Sequence, residues 1–227
     1  MFLPLNDTES SRYEHSHMTL LIIWACTIIL MLEYALSDES LFKLFYYFGC
    51  NPVQILNREG LGALSAITST FLHGDFWHLL FNMWALWVFG RRVEDACGPW
   101  RFLAFYLFCG VSAAITFTFI HSGEDIPAIG ASGAIFGVMG AYLLLYPEGR
   151  IRTLILVPVP IWPRLRAFWV VLFFILTEIP AALDVFLNDA SYSTGHWAHI
   201  GGFFGAVTII FFIRPDSYHR YINHLPL

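Results

Sequence analysis

The sequence predicts an all-α membrane protein with six transmembrane helices and a long interfacial loop between the first and second spans. Its composition suits a bilayer, because 57% of the residues are hydrophobic and only 13% are charged, against about 25% charged residues in ordinary soluble domains. Six apolar runs also approach the roughly 20 residues that a helix needs to cross the hydrocarbon core. The positions of the basic residues then orient these runs with both termini in the cytoplasm.

Charged or turn-forming residues separate the predicted spans. The spans are residues 18–37, 76–94, 99–120, 131–147, 167–184 and 195–213. Residues 38–75 break the pattern, because glycine, asparagine and proline interrupt their short apolar stretches. We expect this segment to be an amphipathic loop in the membrane interface, where aromatic side chains are favoured.

The 227 residues leave room for one domain. We expect a six-span domain at 18–213, a short cytoplasmic N-terminus at 1–17 and a short cytoplasmic C-terminus at 214–227. The apolar run from Met18 is too long for a signal peptide and lacks a clear cleavage site, so it is interpreted as a retained span. The four cysteines show no metal-binding spacing, and a net charge of −5 without a basic tract makes nucleic acid an unexpected partner.

The lysine and arginine residues orient the spans. With both termini in the cytoplasm, Lys43 and Arg58 fall in outer segments and the other ten of the twelve basic residues fall in inner segments. This distribution follows the positive-inside rule. Spans two, four and six therefore begin at the outer surface.

Polar residues gather at the outer starts of these three spans. They are His73 and His78 at the second span, Ser132 at the fourth, and His196 and His199 at the sixth. Ionisable residues inside spans are costly and by default indicate a functional site. Because the groups share one depth on one side of the membrane, we predict that they assemble a common site.

Ser132 has two possible roles on spacing alone. A lone serine in a membrane helix usually lets two backbones approach closely, and stripes of small residues strengthen that interpretation. The small residues of the two stripes are Gly133, Gly137, Ala141, Gly202 and Ala206. Close approach is also what a serine hydroxyl and an imidazole on different helices need for nucleophilic catalysis. The stripes therefore favour neither role.

An acyl-transfer enzyme also needs donors for the oxyanion. His78 and Asn82 are four residues apart and share one helix face, although a buried asparagine can instead tie helices together. Backbone N–H groups at the start of the fourth span, around Ala131, are further candidates. Nothing in the sequence places Asp75 or Asp125 behind a histidine, and a serine with a histidine is sufficient for the chemistry.

Two motifs resemble those of the rhomboid intramembrane serine proteases. The stretch "GASG" at Gly130–Gly133 resembles the family's GxSG motif, which implies that Ser132 is the nucleophile. The stretch "AHIGG" resembles the family's AHxxG motif, which implies that His199, and not His196, is the general base. The likeness runs along nearly the whole chain, from the first span to the sixth.

The second span and the turn after it extend the resemblance. The stretch "HGDFWHLLFNM" resembles the family's HxxxxHxxxN pattern, which implies oxyanion roles for His78 and Asn82 and a supporting role for His73. The stretch "GRRVEDACG" places Glu94 where the family has a structural acid. Phe136 stands where an aromatic residue, often tyrosine, packs on the catalytic histidine.

Two features depart from the family pattern. The Trp-Arg pair of the first loop is absent, and Leu64 and Ser65 stand near its place. Phe136 can stack on an imidazole but cannot hydrogen-bond to it.

The resemblance implies a dyad of Ser132 and His199 with no third acid, and neither a metal nor a cofactor. It further implies a water-filled cavity open to the outer side and cleavage of peptide bonds in or near transmembrane segments of other proteins. The expected partners are these substrates, which would enter between spans two and five, and the lipid bilayer. The expected location is a bacterial inner membrane, with the active site toward the outer side.

Three other functions fit parts of the pattern. An inactive rhomboid-like protein would bind membrane clients, although intact Ser132 and His199 argue against it. A small transporter could use His196 and His199, whose spacing suits a metal but which have no acid on the same helix turn. A haem cytochrome would leave the GASG turn and Asn82 without a role.

Overall fold

The computed structural model describes residues 2–7, 16–188 and 195–213, with positions 216 and 223, and this part of the chain is mostly helical. The helices are α1 (His17–Tyr34), α2 (Asp38–Phe48), α3 (Pro52–Asn57), α4 (Ser65–Thr68), α5 (Phe76–Ala85), α6 (Arg91–Cys97), α7 (Pro99–Ile120), α8 (Ser132–Leu145), α9 (Ala167–Asn188) and α10 (His196–Ile213). The strands are β1 (Phe2–Asp7), β2 (Arg150–Val157), β3 (Val159–Ile161) and β4 (Arg164–Arg166). The largest helix interfaces join α7, α8 and α10.

Among the described residues, three helices are long and apolar enough to cross a membrane. They are His17–Tyr34, Pro99–Ile120 and the Ala167–Asp184 part of α9. α8 is also apolar but shorter. Large apolar side chains such as Trp24 and Phe119 point away from the protein, as expected where lipid covers the surface. The prediction of a helical membrane protein is therefore confirmed.

Residues 38–75 form short helices joined by turns, of which the 11-residue α2 is the longest. This segment is tied to the stretch that precedes α8. Cys50 and Ala128 exchange backbone hydrogen bonds of 2.8 and 3.0 Å, and the Asn51 side chain donates to Asp125 at 2.7 Å. These bonds hold the first loop next to the start of α8.

Glu94, on α6, caps the start of α1. Its carboxylate accepts hydrogen bonds from the N–H groups of Met18 at 2.8 Å and Thr19 at 2.7 Å, and from the Thr19 hydroxyl at 2.7 Å. The first N–H groups of a helix have no partner within the helix, and negative charge is favourable there. Glu94 therefore joins α1 to the end of the second predicted span, where one π-helical turn at Leu86–Gly90 separates α5 from α6.

A small antiparallel sheet corrects the all-α prediction. β2 pairs with β1, β3 and β4, so part of the predicted N-terminal segment joins the segment between the fourth and fifth predicted spans. Ile151 and Thr153 of β2 are fully buried, whereas Arg150 and Arg152 are exposed. Alternation of buried and exposed side chains over so few residues is a weak signal for a strand. The pairing of β2 with the N-terminal strand β1 has no local signature in the sequence.

Replacing Glu94 by alanine is expected to destabilise the protein strongly. Two backbone N–H groups and one hydroxyl would lose their acceptor, and each buried unpaired group costs about 1–3 kcal/mol. The measurement is the free energy of unfolding in detergent micelles. Glu39→Ala is the matched control, because Glu39 is exposed and forms a surface pair with Lys43, which contributes little. Equal destabilisation by the two substitutions would contradict the capping role.

Candidate active site

Small residues bring α8 against α7 and α10. A Cβ atom on Gly133 would lie 2.5 Å from the Cβ of Ala113 on α7, and one on Gly137 would lie 2.5 Å from the Cys109 side chain. On α10, a Cβ atom on Gly202 would collide with the carbonyl group of Gly133. The two predicted stripes of small residues thus face each other, and the helix backbones are in direct contact.

This packing brings Ser132 and His199 within hydrogen-bond distance. Ser132 Oγ lies 2.8 Å from His199 Nε2. Ser132 is the first residue of α8, His199 lies in the first turn of α10, and both are half-buried. The ring of Phe136 stacks on the imidazole, with ring centroids 4.3 Å apart and planes 5° apart. The hydroxyl can donate to Nε2 while Phe136 covers one face of the ring.

A third residue, Glu178, reaches the same imidazole from α9. Its Oε2 lies 2.7 Å from His199 Nδ1 and 2.6 Å from His196 Nδ1. The expectation of no third acid is therefore corrected, because a carboxylate contacts the ring nitrogen opposite Ser132. His196, which the AHxxG motif does not assign as the general base, contacts the same carboxylate oxygen.

Sequence reasoning missed Glu178 although a signal was present. Glu178 lies inside the apolar run 167–184, and an ionisable residue within a span indicates a functional site. The acids considered from the sequence lie in outer segments and have other partners. Asp75 caps α5 by accepting from the N–H of His78 at 2.9 Å, and Asp125 holds the first loop.

Glu178, His196 and His199 also offer the ligand types of a zinc site. One ligand atom from each residue lies within 4.8 Å of the others. The sequence placed no acid on the helix turn of the two histidines, and α9 supplies one. Hydrogen bonds from both imidazoles to the carboxylate satisfy these polar groups without an ion.

His78 and Asn82 lie beside Gly130, two residues before Ser132. A Cβ atom on Gly130 would lie 2.7 Å from His78 Nε2 and 3.8 Å from Asn82 Nδ2, and the φ of Gly130 is +123°. Both facts require glycine here. Asn82 is buried, and its Nδ2 has no hydrogen-bond partner within the described part of the chain. This N–H donor is therefore available to an oxygen atom that enters the site.

The proton on His78 limits what this side chain can donate. Its Nδ1 lies 2.9 Å from the carbonyl oxygen of His73, and a carbonyl oxygen only accepts, so Nδ1 carries the proton. In the neutral ring Nε2 is then an acceptor, and His78 donates to an oxyanion only when both nitrogens are protonated. Asn82 and the N–H groups at the start of α8, which has no side-chain cap, can donate without this condition.

Glu33, at the end of α1, fixes the turn that carries His73. Its carboxylate accepts from the N–H groups of His73 and Gly74 at 3.2 and 2.9 Å. His73 is 1% exposed, and this burial lowers the pKa of its imidazole to about 4. His73 is therefore neutral at pH 7 and holds His78 through its carbonyl group. Glu33 is a second acid inside an apolar run that sequence reasoning missed.

A cavity lies beside Ser132. It offers about 50 Å³ to the centres of water molecules, and one water needs roughly 10–15 Å³ by that measure. The residues around it include Ser69, Thr70, Gly130, Ser132, Gly195 and Ala198. The site therefore has room for water next to the serine hydroxyl.

Comparison with protein families gives the class to which this fold and site belong. The family model described as Rhomboid domain matches residues 62–216, which is most of the chain. This chain belongs to the rhomboid family, as its motifs predicted.

Similar proteins come from mitochondria and from bacteria. The chain is 36% identical over 101 residues to Rhomboid protein 1, mitochondrial, of Saccharomyces cerevisiae, covering 43% of this chain and 29% of that protein. It is 36% identical over 112 residues to Presenilin-associated rhomboid-like protein, mitochondrial, of Homo sapiens, covering 48% of this chain and 28% of that protein. It is 43% identical over 84 residues to Rhomboid protease GluP of Bacillus subtilis, covering 37% of this chain and 16% of that protein.

The matched regions span less than a third of each of these relatives. Two of the three are named as mitochondrial and one comes from a bacterium. These relatives therefore do not support the expected location in a bacterial inner membrane, because they include mitochondrial proteins. The coarser statement, that the chain is a membrane protein, holds.

His73 is expected to make the folded protein less stable in acid. Because burial lowers its pKa from 6.5 to about 4, the unfolded chain binds a proton more readily than the folded chain between these values. The stabilisation from neutral His73 is complete above about pH 6.5 and is lost as the pH falls toward 4, by up to about 3 kcal/mol.

The free energy of unfolding in detergent, measured for wild type and His73→Gln from neutral pH down to about pH 4, tests this dependence. His17→Gln is the control, since His17 is exposed. We expect a shallower pH dependence for His73→Gln than for the other two proteins. The same slope in all three would show that His73 does not carry the effect.

Proposed function

We propose that this chain is an intramembrane serine endopeptidase, which hydrolyses peptide bonds in or near transmembrane segments of other membrane proteins. The observation that carries the proposal is the 2.8 Å contact between Ser132 Oγ and His199 Nε2. Ser132 is the nucleophile and His199 is the general base. Membership of the rhomboid family supports this, since a relative in Bacillus subtilis is named a rhomboid protease.

The first half of the reaction forms an acyl-enzyme. Ser132 Oγ attacks the carbonyl carbon of the substrate while its proton moves to His199 Nε2. A tetrahedral intermediate results, with a negative charge on the former carbonyl oxygen. The proton on Nε2 then passes to the leaving amide nitrogen, the C–N bond breaks, and the acyl group stays on Ser132.

Asn82 and the start of α8 are the proposed oxyanion donors. Asn82 Nδ2, which has no hydrogen-bond partner among the described residues, lies beside Gly130, two residues before Ser132. The first N–H groups of α8 have no acceptor within the helix and lie at the positive end of its dipole. His78 joins these donors when its ring is doubly protonated.

The second half of the reaction needs water. The cavity beside Ser132 provides room for the molecule that attacks the acyl carbon. His199 Nε2 takes a proton from this water and returns it to Ser132 Oγ as the acid product leaves. Both residues then regain their starting protonation states.

The proposed membrane arrangement is the six predicted spans within 18–213, with residues 1–17 and 214–227 in the cytoplasm. The positions of the basic residues support it. So does the pairing of β1 with β2, which keeps the N-terminus on the same side as the segment between α8 and α9. Residues 38–75 are proposed to lie in the outer interface, which the exposed aromatic side chains of Phe42 and Tyr47 favour.

Substrates are proposed to enter laterally between α5 and α9. α9 packs on α10 and α8, whereas α5 is not among its principal neighbours in the described part of the chain. The amides of a transmembrane helix are hydrogen-bonded within the helix, so a substrate must unwind locally before Ser132 can attack. Helix-breaking glycine or proline near the scissile bond is therefore expected to favour cleavage.

Ser132→Ala and His199→Ala are expected to abolish cleavage of a transmembrane reporter by the purified protein in liposomes. Removing the nucleophile or base of such a pair lowers kcat by at least about 10³-fold. Ser122→Ala, in the exposed turn after α7, is the matched control and should cleave like wild type. Labelling of Ser132 by a fluorophosphonate gives a second measure.

Two results would overturn the proposed function. The first is cleavage by Ser132→Ala at the wild-type rate, which would assign the activity to another group or protein. The second is a folded wild type that neither cuts nor labels, which would make the chain an inactive rhomboid-like protein that binds membrane clients.

Asn82→Leu, which nearly keeps the side-chain volume, is expected to lower kcat by about 10²–10³-fold with little change in KM. An oxyanion donor acts in the transition state and not on the bound substrate. The melting temperature should not fall, because Nδ2 has no partner to lose in the described structure. A lower melting temperature with unchanged kcat would instead indicate that Asn82 ties helices together.

A further inference from the structure

We propose that Glu178 is a positioning residue for His199, so that the reactive arrangement is Ser132–His199–Glu178 and not a serine–histidine pair alone. The inference rests on the proposed function of Ser132 and His199. It goes beyond that function by giving a defined task to an acid on another helix.

The two ring nitrogens of His199 have opposite partners. Ser132 Oγ lies 2.8 Å from Nε2, and Glu178 Oε2 lies 2.7 Å from Nδ1. An ionised carboxylate only accepts hydrogen bonds, so Nδ1 carries the proton and donates it. Nε2 of the neutral ring is then bare, which is the state that can accept the serine proton. Glu178 thus selects the reactive tautomer.

Glu178 is itself held in place. Its side chain is 13% exposed, and His196 Nδ1 donates to the same oxygen at 2.6 Å. The indole N–H of Trp197 donates to the carbonyl oxygen of Ala182 at 2.8 Å, which ties α10 to α9 one turn from the carboxylate. A fixed, largely buried carboxylate interacts with a neighbouring charge more strongly than one exposed to water.

The stacking of Phe136 on His199 does not by itself fix the orientation of the imidazole. Its ring lies parallel to the imidazole of His199 and so fixes the plane of that ring. A phenyl ring has no hydrogen-bonding atom, so it does not decide where the two nitrogens point within the plane. The hydrogen bond to Glu178 decides this and aims Nε2 at Ser132.

The proton balance needs no additional reactant. During attack the serine proton moves to Nε2, and His199 becomes an imidazolium ion whose positive charge lies beside the Glu178 carboxylate. The Nδ1 proton stays on the ring, and Glu178 stays ionised. The Nε2 proton then goes to the leaving nitrogen, so neither His199 nor Glu178 is changed after turnover.

Three substitutions of Glu178 separate positioning from a merely structural role. Glu178→Ala removes the acceptor, and we expect kcat to fall by about 10²–10⁴-fold with a small change in KM. For Glu178→Gln, kcat should fall at least as far, because the NH₂ group of glutamine can donate to Nδ1 and so place the ring proton on Nε2. Glu178→Asp should restore part of the rate.

Glu148→Gln is the matched control for these substitutions. Glu148 is exposed and lies just beyond the end of α8 opposite to Ser132, so this variant should cleave like wild type.

A second measurement does not depend on turnover. In protein with ¹⁵N-labelled histidine, the Nδ1–H of His199 should give a downfield proton resonance, assigned by its loss in His199→Ala. The resonance should persist in Ser132→Ala and disappear in Glu178→Ala. Its presence in Glu178→Ala would overturn the positioning role.

The failures of the two proposals are distinguishable. If Ser132→Ala is inactive while all Glu178 variants cleave like wild type, the positioning role is wrong and the proposed function stands. If wild type and Ser132→Ala are equally inactive, the proposed function fails, and the resonance of His199 alone decides whether Glu178 fixes its ring.

Discussion

The backbone contact between α8 and α10 at Gly133 and Gly202 is the constraint on which the candidate site depends. A side chain at Gly202 would collide with the carbonyl group of Gly133 and force the two helices apart. Ser132 and His199 are 67 positions apart in the chain and lie next to this contact. If the helices moved apart, the 2.8 Å contact between Ser132 Oγ and His199 Nε2 would be lost. Between helices in lipid there is no hydrophobic driving force, so close packing of small residues supplies the attraction.

Three buried or largely buried carboxylates then fix what the glycines bring together. Glu94 holds the start of α1, Glu33 holds the turn at His73, and Glu178 holds the His199 ring. An unpaired charge in such surroundings is costly, and each of these acids accepts two or three hydrogen bonds from another part of the chain. Each of these three carboxylates therefore connects its own helix to another segment of the chain.

The two histidines beside the candidate site, His78 and His199, differ in the acceptor of their Nδ1–H hydrogen bond. Both His78 and His199 donate from Nδ1, the first to a carbonyl oxygen and the second to a carboxylate. The difference matters, because a carboxylate stabilises a positive ring and a carbonyl does so much less. His199 is thereby suited to gain a proton during the reaction.

The sequence alone was sufficient for the helical membrane class and for rhomboid membership, and its motifs named the Ser132 and His199 pair that the structure brings into contact. Hydropathy and motif spacing are properties of contiguous residues, so they can be read without coordinates. The tertiary structure alone decided that β1 pairs with β2, that Nε2 of neutral His78 is an acceptor, and that Glu178 contacts His199. The strand pairing and the Glu178 contact depend on which distant segments meet, and neither has a local signature in the chain. The protonation of His78 depends on the direction of the His73 carbonyl five residues earlier, which the backbone conformation of the turn sets.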